Sequence, residues 1–301
     1  MIKNPFTLKQ LEAFIAVVDA GTFRRAAERL GTTQPNISAR INALEVQLGV
    51  VLMHRDAGSV RLTERGEVLL QAARDVLFAA ETFVETADRK DLVQERLRLG
   101  VTELIACTWL HDFLRALKQV YPSVAIELSV NLSKEIEAEL TSNQIDLALQ
   151  TAPFVRETTG TVPLWQESYG WVAAPDIAQV LGQGRTLGDF VHHTILAHAK
   201  HTVAAQKLVQ NVETHGLPPE RIVHSSSLTS TMQMSIDGMG IAMLPVVMTR
   251  DSVQKGKLVA LDCDWHPPQL EFFARYDAKR MPRFIAEAAQ LAAQVATGFQ
   301  E

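Results

Sequence analysis

Short or planar hydrogen-bonding side chains are concentrated between residues 33 and 40. They are Thr33, Gln34, Asn36, Ser38 and Arg40. Glutamine and asparagine can form two hydrogen bonds to the edge of adenine, and arginine can do the same with guanine. The segment therefore has the chemistry needed to read base edges in the major groove of double-stranded DNA. A polar outer face is common on any surface helix. Spacing alone therefore does not distinguish a DNA-binding face from an ordinary solvent-exposed face.

Patterns typical of common enzymes are absent from the sequence. It has no Gly-x-Ser-x-Gly, no His-Glu-x-x-His and no P-loop, so we expect no catalytic residue, no cofactor and no enzymatic activity. His192, His193, His198 and His201 are close enough in sequence to bind Zn or Ni, but they can equally be surface groups or helix caps, and we predict no metal site. Cys107 and Cys263 are expected to be buried small apolar residues rather than a disulfide.

Three amphipathic helices are predicted to position the polar segment. Thr7 begins the first helix with a Thr-x-x-Gln capping box, and Gly21 ends it. Thr22 can cap the second helix. The third has Pro35 in its first turn, followed by apolar residues at spacings of four, three and four: Ile37, Ile41, Leu44 and Leu48. Two short strands around the turn at residues 56–59 then predict a wing, where Arg55 and Arg61 could contact the DNA backbone.

Charge is distributed unevenly along the chain. The formal net charge of the whole chain is −5, which by itself argues against nucleic-acid binding. Residues 1–66, however, contain 9 basic and 6 acidic residues, whereas the remainder contains 20 basic and 28 acidic residues. A basic N-terminal part on an acidic body is suited to phosphate contact at one end only.

The run from Phe6 to Leu70 resembles the DNA-binding head of the LysR family along its whole length. The matching features are a hydrophobic first helix, a second helix of small residues, Gln-Pro-x-x-Ser at the start of the third, Leu-Glu then Leu-Gly, and Leu-Thr-x-x-Gly after the wing. The resemblance implies a winged helix-turn-helix whose DNA-binding residues are Thr33, Gln34, Pro35, Asn36, Ser38, Arg40 and Arg55. Ala39 departs from it, because many members have arginine there, which bears on one contact to phosphate or base. Met53 replaces the usual phenylalanine and changes only the packing of the wing.

A long helix is predicted to leave the wing. Between Thr63 and Lys90 there is no proline and only one glycine, so a helix of roughly 28 residues would span about 40 Å. Its heptad seam, Leu69, Ala73, Val76, Ala80, Phe83 and Ala87, predicts a dimer interface, although the helix could instead pack on its own domain. A two-fold dimer would place two recognition helices on a pseudo-palindromic operator. The resemblance adds the pairing of dimers into tetramers.

Strands alternate with helices from residue 96 onward, which predicts two α/β lobes with mainly parallel sheets. Chain crossings near residues 161–163 and 265–268 would form a hinge. We predict an α+β multi-domain chain: a winged helix-turn-helix at 1–62, a linker helix at 63–90, and a two-lobed, periplasmic-binding-protein-like effector domain at 91–301. The first lobe comprises residues 91–161 and 268–301, and the second comprises 162–267.

Polar side chains follow several of the predicted strands, where ligands of open α/β lobes bind. These residues are Thr102, Glu103, Thr151, His198, Lys200, His201, Thr202, Ser226 and Ser227. Each Ser or Thr could also be an ordinary helix cap. As a set they resemble the inducer cleft of the LysR effector domain, with matches at LRLGV plus Thr102, IDLALQ plus Thr151, and the run SSSLTSTMQMSIDGMGIAMLP. The hydroxyl groups and Lys200 favour a small organic anion, whereas Glu103 could instead select an amine.

The sequence thus predicts a LysR-type DNA-binding transcriptional regulator that responds to a small-molecule effector. Its expected partners are double-stranded DNA, the effector, and itself as dimer and tetramer. A regulator bound at a promoter could also contact RNA polymerase. The first six residues show no signal peptide and no run of 18 apolar residues occurs, so we expect a cytoplasmic protein without membrane contact. The alternative is a small-molecule or metal sensor whose helix-turn-helix serves mainly for dimerisation.

Overall fold

The head of the chain has the predicted winged helix-turn-helix architecture. The computed structural model describes residues 6–56, 59–87, 96–182, 186–190, 192–214, 216, 219–278 and 280–300. Within it, the chain begins with helices α1 (Leu8–Ala20), α2 (Phe23–Arg29) and α3 (Gln34–Leu48). Strands β1 (Met53–Asp56) and β2 (Ser59–Leu62) pair antiparallel and form the wing.

Local signals determine where the head helices begin and end. The side chain of Gln10 accepts a hydrogen bond from the backbone amide of Thr7 at 2.7 Å, at the start of α1. Thr22 caps α2 by accepting from the amide of Arg25 at 3.2 Å. The three helices then share one apolar core, whose largest buried members include Phe14, Ile37, Ile41, Leu44 and Leu52. Burial of this stripe leaves the opposite face of α3 to solvent.

Helix α4 (Glu64–Thr86) packs by its first half on the head. Ala73 is buried in the head core and Leu69 is partly buried there. A Cβ atom at Gly66 would lie 2.0 Å from the carbonyl oxygen of Leu52, so this close approach requires glycine. The predicted heptad seam is therefore divided. Its first half contacts the chain's own head, as the alternative interpretation held, whereas Val76 and Phe83 are exposed.

Strands and helices alternate through the rest of the described chain. The strands are β3 (Arg96–Val101), β4 (Ala125–Val130), β5 (Leu147–Thr151), β6 (Gly160–Glu167), β7 (Tyr169–Ala173), β8 (Ile195–His198), β9 (Ile222–Ser225), β10 (Ile241–Pro245), β11 (Val259–Leu261) and β12 (Leu270–Tyr276). The helices are α5 (Glu103–Cys107), α6 (Leu110–Val120), α7 (Ser133–Thr141), α8 (Pro175–Leu181), α9 (Leu187–Phe190), α10 (Val203–Thr214), α11 (Leu228–Ile236), α12 (Val246–Gln254) and α13 (Arg283–Gln300).

These strands form two five-stranded sheets, one in each lobe. The first sheet has the order β4-β3-β5-β12-β6, in which β3 is parallel to β4 and β5, and β12 is antiparallel to its neighbours. The second has the order β11-β7-β10-β8-β9, in which β8 is parallel to β9 and β10, whereas β7 is antiparallel to β10 and β11. Both sheets are therefore mixed, whereas the sequence predicted mainly parallel sheets. Because β12 and α13 return to the first lobe, the chain crosses between the lobes twice, as expected for a two-lobed α/β domain.

The first crossing lies later in the chain than the sequence predicts. Strand β6 continues to Glu167 in the first sheet, so the crossing falls at Ser168 rather than at 161–163. Strand β6 can include Pro163 because β6 is an edge strand, where a residue without a backbone N–H is tolerated. The return crossing lies between Leu261 and Leu270, which includes the predicted 265–268.

Candidate functional sites: a DNA-facing helix and an inter-lobe cleft

The N-terminal turns of α3 present the predicted polar set to solvent. Three of its members are exposed, namely Thr33, Gln34 and Asn36, as is Pro35, and two are partly exposed, Ser38 and Arg40. They lie opposite the buried apolar stripe of the same helix, which holds α3 against α1 and α2. Asn36 donates a hydrogen bond to the hydroxyl of Thr32 at 3.2 Å. The face has the size and chemistry of a recognition helix for the major groove.

The wing follows α3 and is held by strand pairing. His54 pairs with Arg61, and Arg55 pairs with Val60, in the antiparallel register of β1 and β2. The side chain of Arg55, the predicted wing contact, lies outside the described residues, as do residues 57 and 58 of the turn. The backbone register nevertheless places both wing arginines on the hairpin.

Glu103 of the first lobe reaches across to the second lobe. Its carboxylate accepts hydrogen bonds from the hydroxyl of Ser227 at 2.9 Å, from the amide of Leu228 at 2.6 Å and from the amide of Thr229 at 3.2 Å. These donors are the N-cap residue and the first two residues of α11. A carboxylate is favourable there because the first amides of a helix lack partners within it.

This contact keeps Glu103 ionised. Burial alone would raise the pKa of the carboxyl, but the hydrogen bonds from Leu228, Thr229 and Ser227 outweigh burial and lower the pKa below its ordinary value. The sequence named Glu103 and Ser227 as cleft residues but did not pair them. Their contact depends on how the two lobes approach each other, which strand patterns do not specify.

Two polar atoms near this contact have no hydrogen-bond partner among the described residues. They are the Oγ1 atom of Thr102 and the Nε2 atom of His198, at the ends of β3 and β8. His198 is only 9% exposed, and burial lowers the pKa of its imidazole, which favours the neutral ring. Its backbone carbonyl oxygen lies 2.9 Å from Nδ1 of His224. A buried polar atom without a partner is unusual, so each of these atoms is available to pair with a polar group of a bound molecule.

Other predicted cleft residues have structural partners. Thr151 Oγ1 lies 2.6 Å from the hydroxyl of Ser133, and Thr202 donates to the carbonyl oxygen of Ala199 at 2.8 Å. His201 Nε2 lies 3.8 Å from Glu135 Oε1, again joining the lobes. Lys200 and Ser226 are exposed. Thr202 also accepts a hydrogen bond from the amide of Ala205 at 3.4 Å and so caps α10, as the helix-cap alternative held, whereas Thr151 joins the end of β5 to the start of α7.

The cysteines and histidines form no ligand cluster in the part of the chain that the structure describes, where no group of three or more His, Cys, Asp or Glu side chains could hold a metal ion. Cys107 is exposed, contrary to the expected burial, because α5 turns it outward beside Thr229, whose hydroxyl lies 3.7 Å from Sγ. Burial raises the pKa of the Cys263 thiol to about 11. Among the described helices, none combines the length and apolar character of a membrane span.

Two family models match the chain and together cover both parts of it. The LysR substrate binding domain matches residues 90–296, and the bacterial regulatory helix-turn-helix protein of the lysR family matches residues 8–67. The chain belongs to the LysR family. This family consists of transcriptional regulators, which confirms the resemblance and the expectation of a regulator rather than an enzyme.

Individual relatives agree with this assignment. The HTH-type transcriptional regulator CbbR of Rhodospirillum rubrum is 28% identical, with 91% of each chain covered, and PtxR of Pseudomonas aeruginosa is 26% identical, with 92% of this LysR chain and 88% of PtxR covered. A probable RuBisCO transcriptional regulator of Emiliania huxleyi is 29% identical over 53% of this chain. The chain spans about half the length of that relative, since 51% of it is matched.

Solved structures of LysR-type proteins share the fold. Full-length OxyR from Pseudomonas aeruginosa superposes with a TM-score of 0.60 at 23% identity, covering 97% of this chain and 94% of OxyR. Full-length CbnR in complex with its target DNA superposes with a TM-score of 0.52 at 20% identity, covering 97% of this chain and 100% of CbnR. The head followed by a two-lobed α/β domain is therefore the architecture of full-length members.

Proposed function

We propose that this LysR-type regulator reads a pseudo-palindromic operator through α3 and the wing, and responds to a small organic anion bound between its lobes. The observation that carries the first part is the exposed polar face of α3, positioned by the buried residues Ile37, Ile41 and Leu44 on its opposite side. Thr33, Gln34, Pro35, Asn36, Ser38, Arg40 and Arg55 are the proposed DNA-binding residues. We also propose a cytoplasmic location and contact with RNA polymerase, both of which are consistent with a regulator that binds DNA at a promoter.

Self-association through the second half of α4 would bring two heads to one operator. Val76 and Phe83 are exposed on this helix, and Phe83 is 78% exposed. Large apolar side chains at such exposure favour an interface with a second copy. We propose a dimer through this surface, with dimers pairing into tetramers.

The proposal that the effector is an anion follows from the electrostatics of the cleft. The start of α11 already binds one carboxylate, because its amides donate hydrogen bonds to Glu103. Lys200 and His201 lie just before α10 in the same lobe. The proposed effector-binding residues are Thr102, Glu103, Thr151, His198, Lys200, His201, Thr202, Ser226 and Ser227. Effector binding would shift the relative position of the lobes and the packing of subunits, because a ligand can only favour the state that it binds more tightly.

Selection of bound fragments from the source genome, followed by footprinting at several salt concentrations, tests this function. We expect a protected pseudo-palindrome near a promoter, with affinity that falls as salt rises. Neighbouring genes would then indicate which organic anions to add. Weak binding without sequence preference would instead support a sensor whose head serves mainly for dimerisation.

A further inference from the structure

Every backbone amide in the first turn of α11 already has a partner. Leu228 and Thr229 donate to Glu103, Ser230 donates to the hydroxyl of Ser227 at 3.2 Å, and Thr231 donates to the carbonyl oxygen of Ser227 at 3.1 Å. An external anion therefore finds no free donor at this helix start while Glu103 is in place. It can bind there only by taking the position of the Glu103 carboxylate.

Unpaired polar atoms next to this position indicate a ligand that is larger than a carboxylate. His198 Nε2 is unpartnered among the described residues, and the side chain is more than nine-tenths buried and feels the charge of Glu103. Thr102, the neighbour of Glu103, has a buried hydroxyl that finds no hydrogen-bond partner in the described part of the chain. Leaving such groups unpaired is unfavourable, so a bound molecule that pairs with them gains affinity.

We propose that Glu103 is a built-in competitor of the effector: the effector's carboxylate displaces it from Ser227, Leu228 and Thr229, while His198 and Thr102 bind polar groups on the rest of the same molecule. This inference rests on the proposed function, in which the inter-lobe cleft binds a small organic anion. It adds the regulation of that site and its key specificity residue.

Displacement also changes how the lobes are joined. In the structure, the Glu103 carboxylate at the start of α5 is bonded directly to α11, so this side chain of the first lobe links it to the second lobe. With effector bound, α11 holds the ligand instead, and Glu103 is released into the cleft. The exchange of one carboxylate for another leaves the hydrogen bonds of α11 unchanged, so the free-energy difference comes from the groups around it. A carboxylate lacking those extra groups cannot compete well.

The Glu103 carboxylate must therefore weaken the binding of any free carboxylate to the start of α11. Because the Glu103 carboxylate is held on a short tether, its effective concentration at α11 is of the order of millimolar or more. The apparent affinity of a free carboxylate is reduced to the fraction of molecules in which Glu103 leaves this position open. Removing the Glu103 carboxylate should thus create a site for acetate, a carboxylate with no other polar group. We expect acetate to bind Glu103→Ala at least about tenfold more tightly than it binds the wild type.

Thermal unfolding of the full-length protein in sodium acetate, against sodium chloride of equal ionic strength, tests the proposal. We expect Glu103→Ala to gain a saturable, acetate-dependent rise in Tm. Wild type and the control Glu213→Ala, which removes an exposed carboxylate on α10 with the same charge change, should show a much smaller rise over the same acetate concentrations. Equal responses of Glu103→Ala and Glu213→Ala, or no saturable response of Glu103→Ala, would overturn the displacement.

Two further measurements keep the result decisive. If Glu103→Ala does not fold, Glu103→Gln replaces it, because the neutral amide competes less well than the carboxylate and should give an intermediate acetate response. Stabilisation of wild type but not of Glu103→Ala by methylammonium chloride would show that Glu103 receives an amine, and would also overturn the proposal. Neither measurement uses DNA, so an acetate site in Glu103→Ala can stand even if no organic anion alters the operator footprint and the proposed function fails.

Discussion

Arg29 on the second helix of the head lies 3.8 Å from Asp146 Oδ1 of the effector domain. The same guanidinium lies 3.9 Å from Asp19 Oδ2, on α1. Asp146 is also held by Arg98, with N–O distances of 2.5 and 3.0 Å. Both carboxylates are nearly buried. The head therefore contacts the first lobe through a charged cluster in addition to the linker helix, which gives the effector domain a direct physical connection to the DNA-binding helices.

Replacing Arg29 should loosen this contact without unfolding the head. Arg29→Ala removes a partly buried cation from between two carboxylates, and such a pair contributes up to about 1 kcal/mol. We expect hydrogen exchange to become faster in α2 and in residues 142–146. Arg24→Ala is the matched control, since Arg24 is on the same helix but is exposed and pairs with Glu28 one turn further along that helix. Unchanged exchange in residues 142–146 of Arg29→Ala would show that the two domains are not held together there.

Two α3 side chains should contribute strongly to operator affinity. Gln34→Ala and Arg40→Ala each remove a proposed base contact worth about 1 to 3 kcal/mol, which is about 5- to 150-fold in Kd. Fluorescence anisotropy with the footprinted operator measures the change. Gln47→Ala is the control, because Gln47 is an exposed glutamine near the other end of the same helix.

The pattern across these three variants decides the assignment of α3. Loss of affinity in Gln34→Ala and Arg40→Ala, but not in Gln47→Ala, identifies the first turns of α3 as the reading surface. Equal, small effects in all three variants would contradict that assignment and favour a head that acts only in dimerisation. Circular dichroism of each variant confirms that the helices remain folded.

A charge in place of Phe83 should weaken self-association. Glutamate at a buried interface position would be desolvated without a partner, which costs several kcal/mol, so the dissociation constant of Phe83→Glu should rise by at least about tenfold. Val180→Glu is the matched control, because Val180 is also 78% exposed but lies on α8 of the second lobe. Sedimentation equilibrium measures the dissociation constant of both variants. Identical association of the two variants would exclude α4 as the dimer contact.

Local signals explain why the head could be predicted nearly residue by residue. Caps such as Thr7 and Thr22 and glycines such as Gly21 act on their own helices, so their effect is visible in sequence. The first lobe crossing was predicted too early, because β6 continues through Pro163 at a sheet edge, and which strand forms the edge depends on the final strand order. The bond from Glu103 to α11 joins residues 124 to 126 positions apart. No local pattern specifies such a contact.

The buried ion pair of the first lobe should be essential for stability. Arg275 is 1% exposed, and Glu137 contacts its Nη1 at 3.2 Å while accepting bonds from the amides of Val155 and Arg156. Glu137→Ala leaves the arginine buried without its partner, which typically costs about 3 to 5 kcal/mol. Urea unfolding should show a correspondingly lower midpoint, whereas Glu135→Ala, at a half-exposed site on the same helix, should change it little. A small effect of Glu137→Ala would mean that water or another group replaces the carboxylate.

The link between the lobes should also weaken in acid. Since the pKa of folded Glu103 is held below its ordinary value of 4.5, its carboxylate stabilises the fold above that value. The contribution is lost as pH falls from 4.5 through the lower folded pKa. Glu137 behaves in the same direction, so the informative quantity is the difference in free energy of unfolding between wild type and Glu103→Gln. We expect this difference to be largest and constant near neutral pH and to shrink below pH 4.5. Chemical unfolding at a series of pH values measures it, and a difference that does not change with pH would show that the charge of Glu103 does not stabilise its bond to α11.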